Sequence, residues 1–272
     1  MKEIKMLPER LCSLDNHLSL EKVLQAKESQ TPLVGRVTLW NSNSKELEVC
    51  LGNGFKGILP IKDASVYPCI LENGQLAPST RSLIGRTVLL LVETVDFSGN
   101  EPKIILSRKR NMQNAFNIIS NSIGKEVACV VTNCCDFGVF VDISSGITGL
   151  IPSTLLSVSR YCHPFDLGIK LGDKITAKIV SAESNSRITL NYKDRFENLA
   201  YSLNHSDLIE ATVLQPINSN GYFAYVNANT PAVVDVPENI FCNYGDKIVA
   251  VVKGGRTNRP EQLRLTFVSF VE

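Results

Sequence analysis

Net charge is what this sequence lacks first: 28 Lys and Arg against 27 Asp and Glu leave +1 over 272 residues. No global positive field draws such a chain to a polyanion or an anionic membrane surface, so any nucleic-acid binding must be local. Histidine is scarce as well. His17, His163 and His205 stand far apart with no nucleophile motif beside them, which leaves no acid–base constellation to argue for an enzyme. There is no glycine-rich phosphate loop, and no apolar run approaches the roughly 20 residues that span a bilayer. The opening MKEIKMLPERLCSLDNH is too polar for the core of a signal peptide. The expectation is a cytoplasmic, non-catalytic protein with no cofactor and no membrane partner.

Cysteine is present, but in the wrong pattern for its usual structural roles. Cys12, Cys50, Cys69, Cys129, Cys134, Cys135, Cys162 and Cys242 are dispersed through a chain much longer than a disulfide-dependent miniprotein. No Cys-x-x-Cys occurs, and the adjacent pairs Cys134-Cys135 and Cys162-His163 offer poor zinc geometry. Reduced thiols and no metal site are expected.

Repetition is what the sequence has instead. GRTV at Gly85 recurs as GDKI at Gly172 and Gly245, while GILP ending at Pro60 returns as GLIP ending at Pro152 and, more loosely, as VDVP ending at Pro237. These intervals exceed the roughly 20–50 residues of a solenoid repeat and suit successive small domains. The units are placed at 33–110, 124–192 and 207–272, the first with an insertion around YPCILENGQLAPSTRS. Inside them the apolar period is two: Val139, Val141 and Ile143 alternate with Phe140 and Asp142, and Ile188, Leu190 and Tyr192 with Arg187, Thr189 and Asn191. Turn-rich stretches, Ser144-Ser145-Gly146 and Glu183-Ser184-Asn185-Ser186, lie between strands. The pattern predicts an all-β chain of three tandem barrels of about five strands each. Helical spacing predicts connectors over 111–123 and 193–206, the latter on Phe196, Leu199 and Leu203, and a short helix over 18–29 inside the segment 1–32, with Ser19 as its N-cap.

The order of motifs in the middle unit, GKEVACVVTNCCDFGVFVDISSGITGLIPSTLLS followed by KLGDKITAKIVSAESNSRITLNYK, resembles the S1 RNA-binding domain. LVGRVTLW through IILSRKR resembles the same family, and LIEATVLQPINSNGYFAYV through LRLTFVSF does so more weakly. A tandem array of this kind is similar to ribosomal protein S1-type chains. The resemblance implies five-stranded OB-type barrels and a partner in single-stranded RNA, such as mRNA, met in translation or RNA metabolism. It also implies an RNA face with two aromatics and an acid–arginine pair near the last hairpin, matched here at Phe137, Phe140, Glu183 and Arg187. Pro152 stands where the family carries a histidine, as Pro60 and Pro237 do in the other units.

Strand parity reaches the same face without the family. If Val139, Val141 and Ile143 fill the barrel, Phe140 points outward, and Gly138 permits a bulge that turns Phe137 to the same side. Two such rings form a stacking surface for bases, and the alternative is that one or both cap the barrel or pack on a connector. Arg187 shares the outward parity of its strand and faces Glu183 across a tight turn, either as an RNA contact or as an ordinary surface ion pair. Lys125 and Lys178 complete the expected RNA site. In the first unit Lys45 and Glu48 take the places of the two phenylalanines, Trp40 is a core candidate, and the run Lys103, Arg108, Lys109, Arg110 reads as a solvated strand end. In the third, Phe223 and Tyr225 have outward parity and form a secondary RNA site, with Gln262 in place of the arginine. The competing function is an adaptor whose barrels dock on ribosomal or RNA-processing proteins, since a fold of this kind hosts many ligands.

Overall fold

The computed structural model describes residues 6–99, 101–157, 163–183, 187–256 and 259–271. The period-two segments become strands, and the strands close into three barrels of five. The first uses β1 (Leu33–Asn41), β2 (Glu46–Gly52), β3 (Phe55–Pro60), β4 (Thr87–Asp96) and β5 (Lys103–Ser107), closed in the order β1-β2-β3-β5-β4. Only β3 and β5 run parallel; the other neighbours are antiparallel. The second is built from β6 (Glu126–Cys135), β7 (Gly138–Ser144), β8 (Ile147–Pro152), β9 (Lys174–Ala182) and β10 (Ile188–Asn191). The third is built from β11 (Leu208–Pro216), β12 (Gly221–Asn227), β13 (Thr230–Asp235), β14 (Lys247–Arg256) and β15 (Arg259–Phe270). Both repeat the strand order of the first. These are OB-type barrels, and closure removes the unpaired edges that an open five-stranded sheet would leave.

The alternation seen in sequence is the alternation of burial. Val139, Val141 and Ile143 are fully buried, as are Val37, Leu47, Leu59, Leu90 and Leu106 in the first barrel and Val213, Val234, Val252 and Leu265 in the third. Trp40 packs, partly buried, against the first core. In β15 Leu263, Leu265 and Phe267 face the core, and Gln262, of the opposite parity, is nonetheless buried at 5% exposure. It keeps the outward parity of the arginine it replaces, but its side chain is covered. That surface belongs to Arg264, whose Nε donates to Asp235 Oδ2 at 3.0 Å.

Around the barrels are four α-helical segments among the described residues: α1 (Leu20–Ser29), α2 (Pro78–Arg81) in the insertion of the first barrel, α3 (Arg108–Ser120) and α4 (Ser153–Leu156). α1 starts where its cap predicts, the Ser19 hydroxyl accepting the Lys22 N–H at 3.3 Å. α3 starts earlier than its apolar spacing suggests, because Ser107, the last residue of β5, accepts the Arg110 N–H at 3.1 Å and caps it. The expected helix over 193–206 is replaced by two 3₁₀ turns, Lys193–Arg195 and Leu199–Tyr201. Side chains from the β12–β13 hairpin take the backbone groups a helix would have used. Asn229 donates to the Phe196 carbonyl at 2.8 Å, Asn227 to that of Glu197 at 3.1 Å, and Thr230 Oγ1 accepts the Leu199 N–H at 3.0 Å.

The chain divides into two compact units. One holds the first barrel with Asp142–Gly149 and Ser181–Arg187; the other holds the third barrel with Val131–Val141 and Leu150–Val180, so strands of the second barrel contribute to both.

Inside the first unit a buried ion pair corrects the reading of the basic run as a solvated strand end. Arg108 is 6% exposed, and its Nη2 and Nε donate to the two carboxylate oxygens of Glu9 at 2.8 and 3.1 Å. Glu9 also accepts the Leu89 N–H at 3.0 Å. The guanidinium closes over the β7–β8 hairpin at Gly146, where φ is 76° and a Cβ would lie 1.7 Å from Nη2, so a side chain there would be strained and would displace the guanidinium. Asn111, one turn along α3, donates to Ser145 Oγ at 2.9 Å and to the Leu89 carbonyl at 3.2 Å.

Asp142 lies beside this pair. Its Oδ2 accepts the Arg10 N–H at 3.1 Å, while the buried Oδ1 has no hydrogen-bond partner. Burial, reinforced by the charge of Glu9, pushes the Asp142 carboxyl up from 3.8 to about 6 against the pull of the Arg10 N–H. A carboxyl whose folded pKa is raised contributes most when protonated, so its share of stability is lost as pH rises through about 6. Asp142→Asn, which keeps an acceptor for the Arg10 N–H, should therefore melt higher than the parent at about pH 7.5, by roughly 1–3 kcal/mol in stability, with the gap closing towards about pH 4. A gap independent of pH counts against the assignment.

Candidate nucleic-acid interface

β7 begins at Gly138, with φ at 152° and so little room that a Cβ would lie 2.2 Å from the Ile151 carbonyl oxygen. Only glycine lets β7 approach the end of β8 so closely. The turn is held on both sides, the Phe137 carbonyl accepting the Ser153 N–H at 2.9 Å and the Cys135 thiol donating to the Gly138 carbonyl at 3.2 Å. Phe137 is turned onto the outer surface at 58% exposure, and Phe140 stands half-buried between the inward Val139 and Val141. The rings touch edge to face, centroids 5.8 Å apart and planes at 85°.

Lys178 is half-buried on β9, its outward parity set by the buried Ala177 and Ile179. Lys125 is exposed just ahead of β6. Glu183 and Arg187 are both exposed at the mouth of the β9–β10 hairpin, joined by the Glu183 N–H donating to the Arg187 carbonyl at 2.8 Å; the turn residues 184–186 lie outside the described residues. The structure thus joins Phe137 with Phe140, and Glu183 with Arg187.

The other two barrels differ from this one in instructive ways. Where the first carries Lys45 and Glu48, both exposed, its outer surface forms a cleft of 340 Å³ lined by Glu46, Glu48, Glu101, Lys56 and Lys103, with no aromatic ring. In the third, the outward parity of Phe223 and Tyr225 is correct but the face is covered. Tyr225 is 4% exposed, buried with Leu214 against Leu167 and Phe223. Its hydroxyl donates to the Asp166 carbonyl, and the Tyr244 hydroxyl donates to Asp166 Oδ2 at 2.5 Å. Tyr225 is therefore a packing residue and no stacking plate.

The covering segment was not singled out in the sequence, although His163-Pro-Phe-Asp carries a helix-start signal, Pro followed two residues later by an acid. It forms a 3₁₀ turn, Pro164–Leu167, with a capping box: the Asp166 carboxylate accepts the His163 N–H at 2.6 Å and His163 Nδ1 accepts the Phe165 N–H at 3.4 Å. That leaves the imidazole proton on Nε2, directed at Asp136 Oδ1 3.4 Å away, immediately before Phe137. His163 and Phe165 stack, centroids 4.9 Å apart at 24°.

The seven described cysteines are free thiols, and Cys162 lies outside the described residues. Among the described residues no group of three or more His, Cys, Asp or Glu could hold a metal ion, and no helix is long and apolar enough to cross a membrane.

Comparison with known proteins now bears on this geometry. The S1 RNA binding domain family matches residues 121–193, the segment that carries both phenylalanines and the β9–β10 hairpin. The chain is 27% identical over 225 residues to small ribosomal subunit protein bS1 of Staphylococcus saprophyticus, covering 78% of this chain and 56% of that protein. It is 27% identical over 172 residues to the bS1 protein of Chlamydia muridarum, covering 61% and 29%. A shorter match, 35% identical over 72 residues, is to polyribonucleotide nucleotidyltransferase of Heliobacterium modesticaldum, covering 26% of this chain and 10% of that protein. The chain spans about half the length of the staphylococcal relatives it matches, 56% and 41%. The second barrel is an S1 RNA-binding domain, and the chain is homologous to bacterial ribosomal protein S1 at moderate identity over much of its length.

Proposed function

We propose that the protein binds single-stranded RNA, chiefly through the second barrel, in translation or RNA metabolism in the cytoplasm. The observation that carries this reading is the contacting Phe137–Phe140 pair, open to solvent on the segment matched by the S1 domain. Aromatic rings on a barrel surface stack unpaired bases whatever their sequence, at about 1–3 kcal/mol per base. Arg187, Lys125 and Lys178 supply phosphate contacts, and Glu183 orients the arginine. The small-ribosomal-subunit relatives support the ribosome as the setting, and mRNA is the strand we propose. The chemistry is binding; the match to a nucleotidyltransferase covers 10% of that enzyme and transfers no catalysis.

The adaptor reading retains one observation in its favour. The first barrel carries the exposed Glu48 where the second carries a phenylalanine, so that surface repels phosphate and is free to hold protein. Fluorescence anisotropy with matched single-stranded RNA, double-stranded RNA and single-stranded DNA across a salt series separates the two readings. The RNA reading expects a preference for single strands and a shallow salt dependence, each phosphate contact contributing a log–log slope of about −0.7. Equal binding to duplex and single strand, or none to either, favours the adaptor.

A further inference from the structure

Next to the covered face of the third barrel lies a cleft of 530 Å³, within the range of small-ligand sites of about 300–1,000 Å³. Its walls come from the turn after His163, the end of the second barrel and strands β11, β12 and β14, all in one compact unit. Phe165 lines it at 60% exposure, as do Tyr192 and Phe196, whose rings meet edge to face at 5.2 Å. Lys170 and Lys247, both exposed, line it as well. Two carboxylates are present. Asp166 is occupied, its Oδ2 accepting from the His163 N–H and the Tyr244 hydroxyl, which leaves Glu210 to bias an anion towards the lysines.

A relay of side-chain contacts links the cleft wall to the aromatic pair of the second barrel. From Phe140 the rings run to Phe137; Asp136, its neighbour, meets His163; and His163 stacks on Phe165 at the cleft wall. We infer that this cleft is a second RNA subsite, holding a nucleotide of the strand that leaves the Phe137–Phe140 face, with the base against Phe165 and the phosphate between Lys170 and Lys247. The inference rests on the single-stranded RNA reading and extends it. Stacking plates with flanking cations are what a sequence-tolerant single-strand site requires. The Tyr225 and Tyr244 hydroxyls that hold Asp166 thereby fix the turn presenting Phe165, so the third barrel serves the path by positioning it.

The test uses fluorescein-labelled oligouridylates of about 4 and about 12 nucleotides, the shorter at the lower limit of the site size of one barrel and the longer well beyond that limit. With the whole chain, Phe165→Ala should weaken the longer RNA by about five- to tenfold and leave the shorter one unchanged, whereas Phe140→Ala should weaken both. Lys247→Glu, on an exposed side chain that should not disturb folding, should also weaken only the longer RNA and lower its salt slope by about 0.7. Zero-length cross-linking of a 4-thiouridine-bearing longer RNA should label the peptide containing Phe165. Loss at Phe140 with no loss at Phe165 and Lys247 overturns the cleft alone. Equal losses on both lengths at Phe165 would place it in the primary face and likewise overturn the second subsite. A parent protein that binds neither oligonucleotide overturns the RNA reading and the cleft with it.

Discussion

Replacing Phe137 and Phe140 together by alanine should weaken single-stranded RNA binding by at least about thirtyfold, the loss of two stacking plates at the low end of their usual worth. The fold should survive. Phe137 is mostly exposed, and the half-buried Phe140 lies outside the set of inward residues Val139, Val141 and Ile143 that fill the barrel. A core phenylalanine cut to alanine would instead cost about 3–5 kcal/mol. Anisotropy titration and thermal unfolding of the one variant therefore answer different questions. Unchanged affinity with a collapsed melting temperature would sink the site and leave the adaptor reading ahead. Glu48→Ala, at the equivalent place in the first barrel, should leave affinity unchanged or slightly improved, because it removes a carboxylate from a surface that does not stack.

Arg108→Ala should destabilise the unit around the first barrel by about 3–5 kcal/mol, because it leaves the Glu9 carboxylate buried without its counter-charge. The two side chains are only 7% and 10% exposed, so water cannot take over the lost contacts. The same deletion empties the space over Gly146 and removes the Arg108 Nη1 hydrogen bond to the Ala64 carbonyl at 3.4 Å. Changing both partners to apolar residues of similar size, Arg108→Met with Glu9→Leu, should recover most of the loss, since the cost lies in the orphaned charge more than in the missing pair. Denaturant unfolding of the single and double variants decides it. A single-variant loss below about 1 kcal/mol, the range of exposed pairs, would contradict a buried and structural role.

The barrels were legible because their information is local. Alternation at Val139, Val141 and Ile143 needs no partner to be read, and Gly138 marked the tight backbone approach beside the turn that presents Phe137. What escaped depends on residues distant in sequence. Glu9 and Arg108 are far apart in the chain, and nothing in MLPERL or SRKRN marks either as buried; the basic run read as solvated because charge runs usually are. Tyr225 has the outward parity that an RNA plate needs, but parity says which way a side chain leaves its own barrel and not what it meets there. Here it meets Leu167 and Asp166. The segment 193–206 has helical spacing yet is captured by Asn227, Asn229 and Thr230, whose hydrogen bonds outcompete a weak helix.

The cluster around Tyr225 also governs how the chain behaves when cut. Cleavage between β10 and β11 would open Leu214 and Tyr225 on one fragment and Leu167 on the other. Leu167 would then add to the apolar surface that Phe165 and Leu171 already expose, with Asp166 released from both tyrosine hydroxyls. Contiguous apolar surface newly shown to water drives self-association. The Pro164–Leu167 turn and the third barrel thus share one buried surface, and a proteolytic nick in this connector would expose it to water.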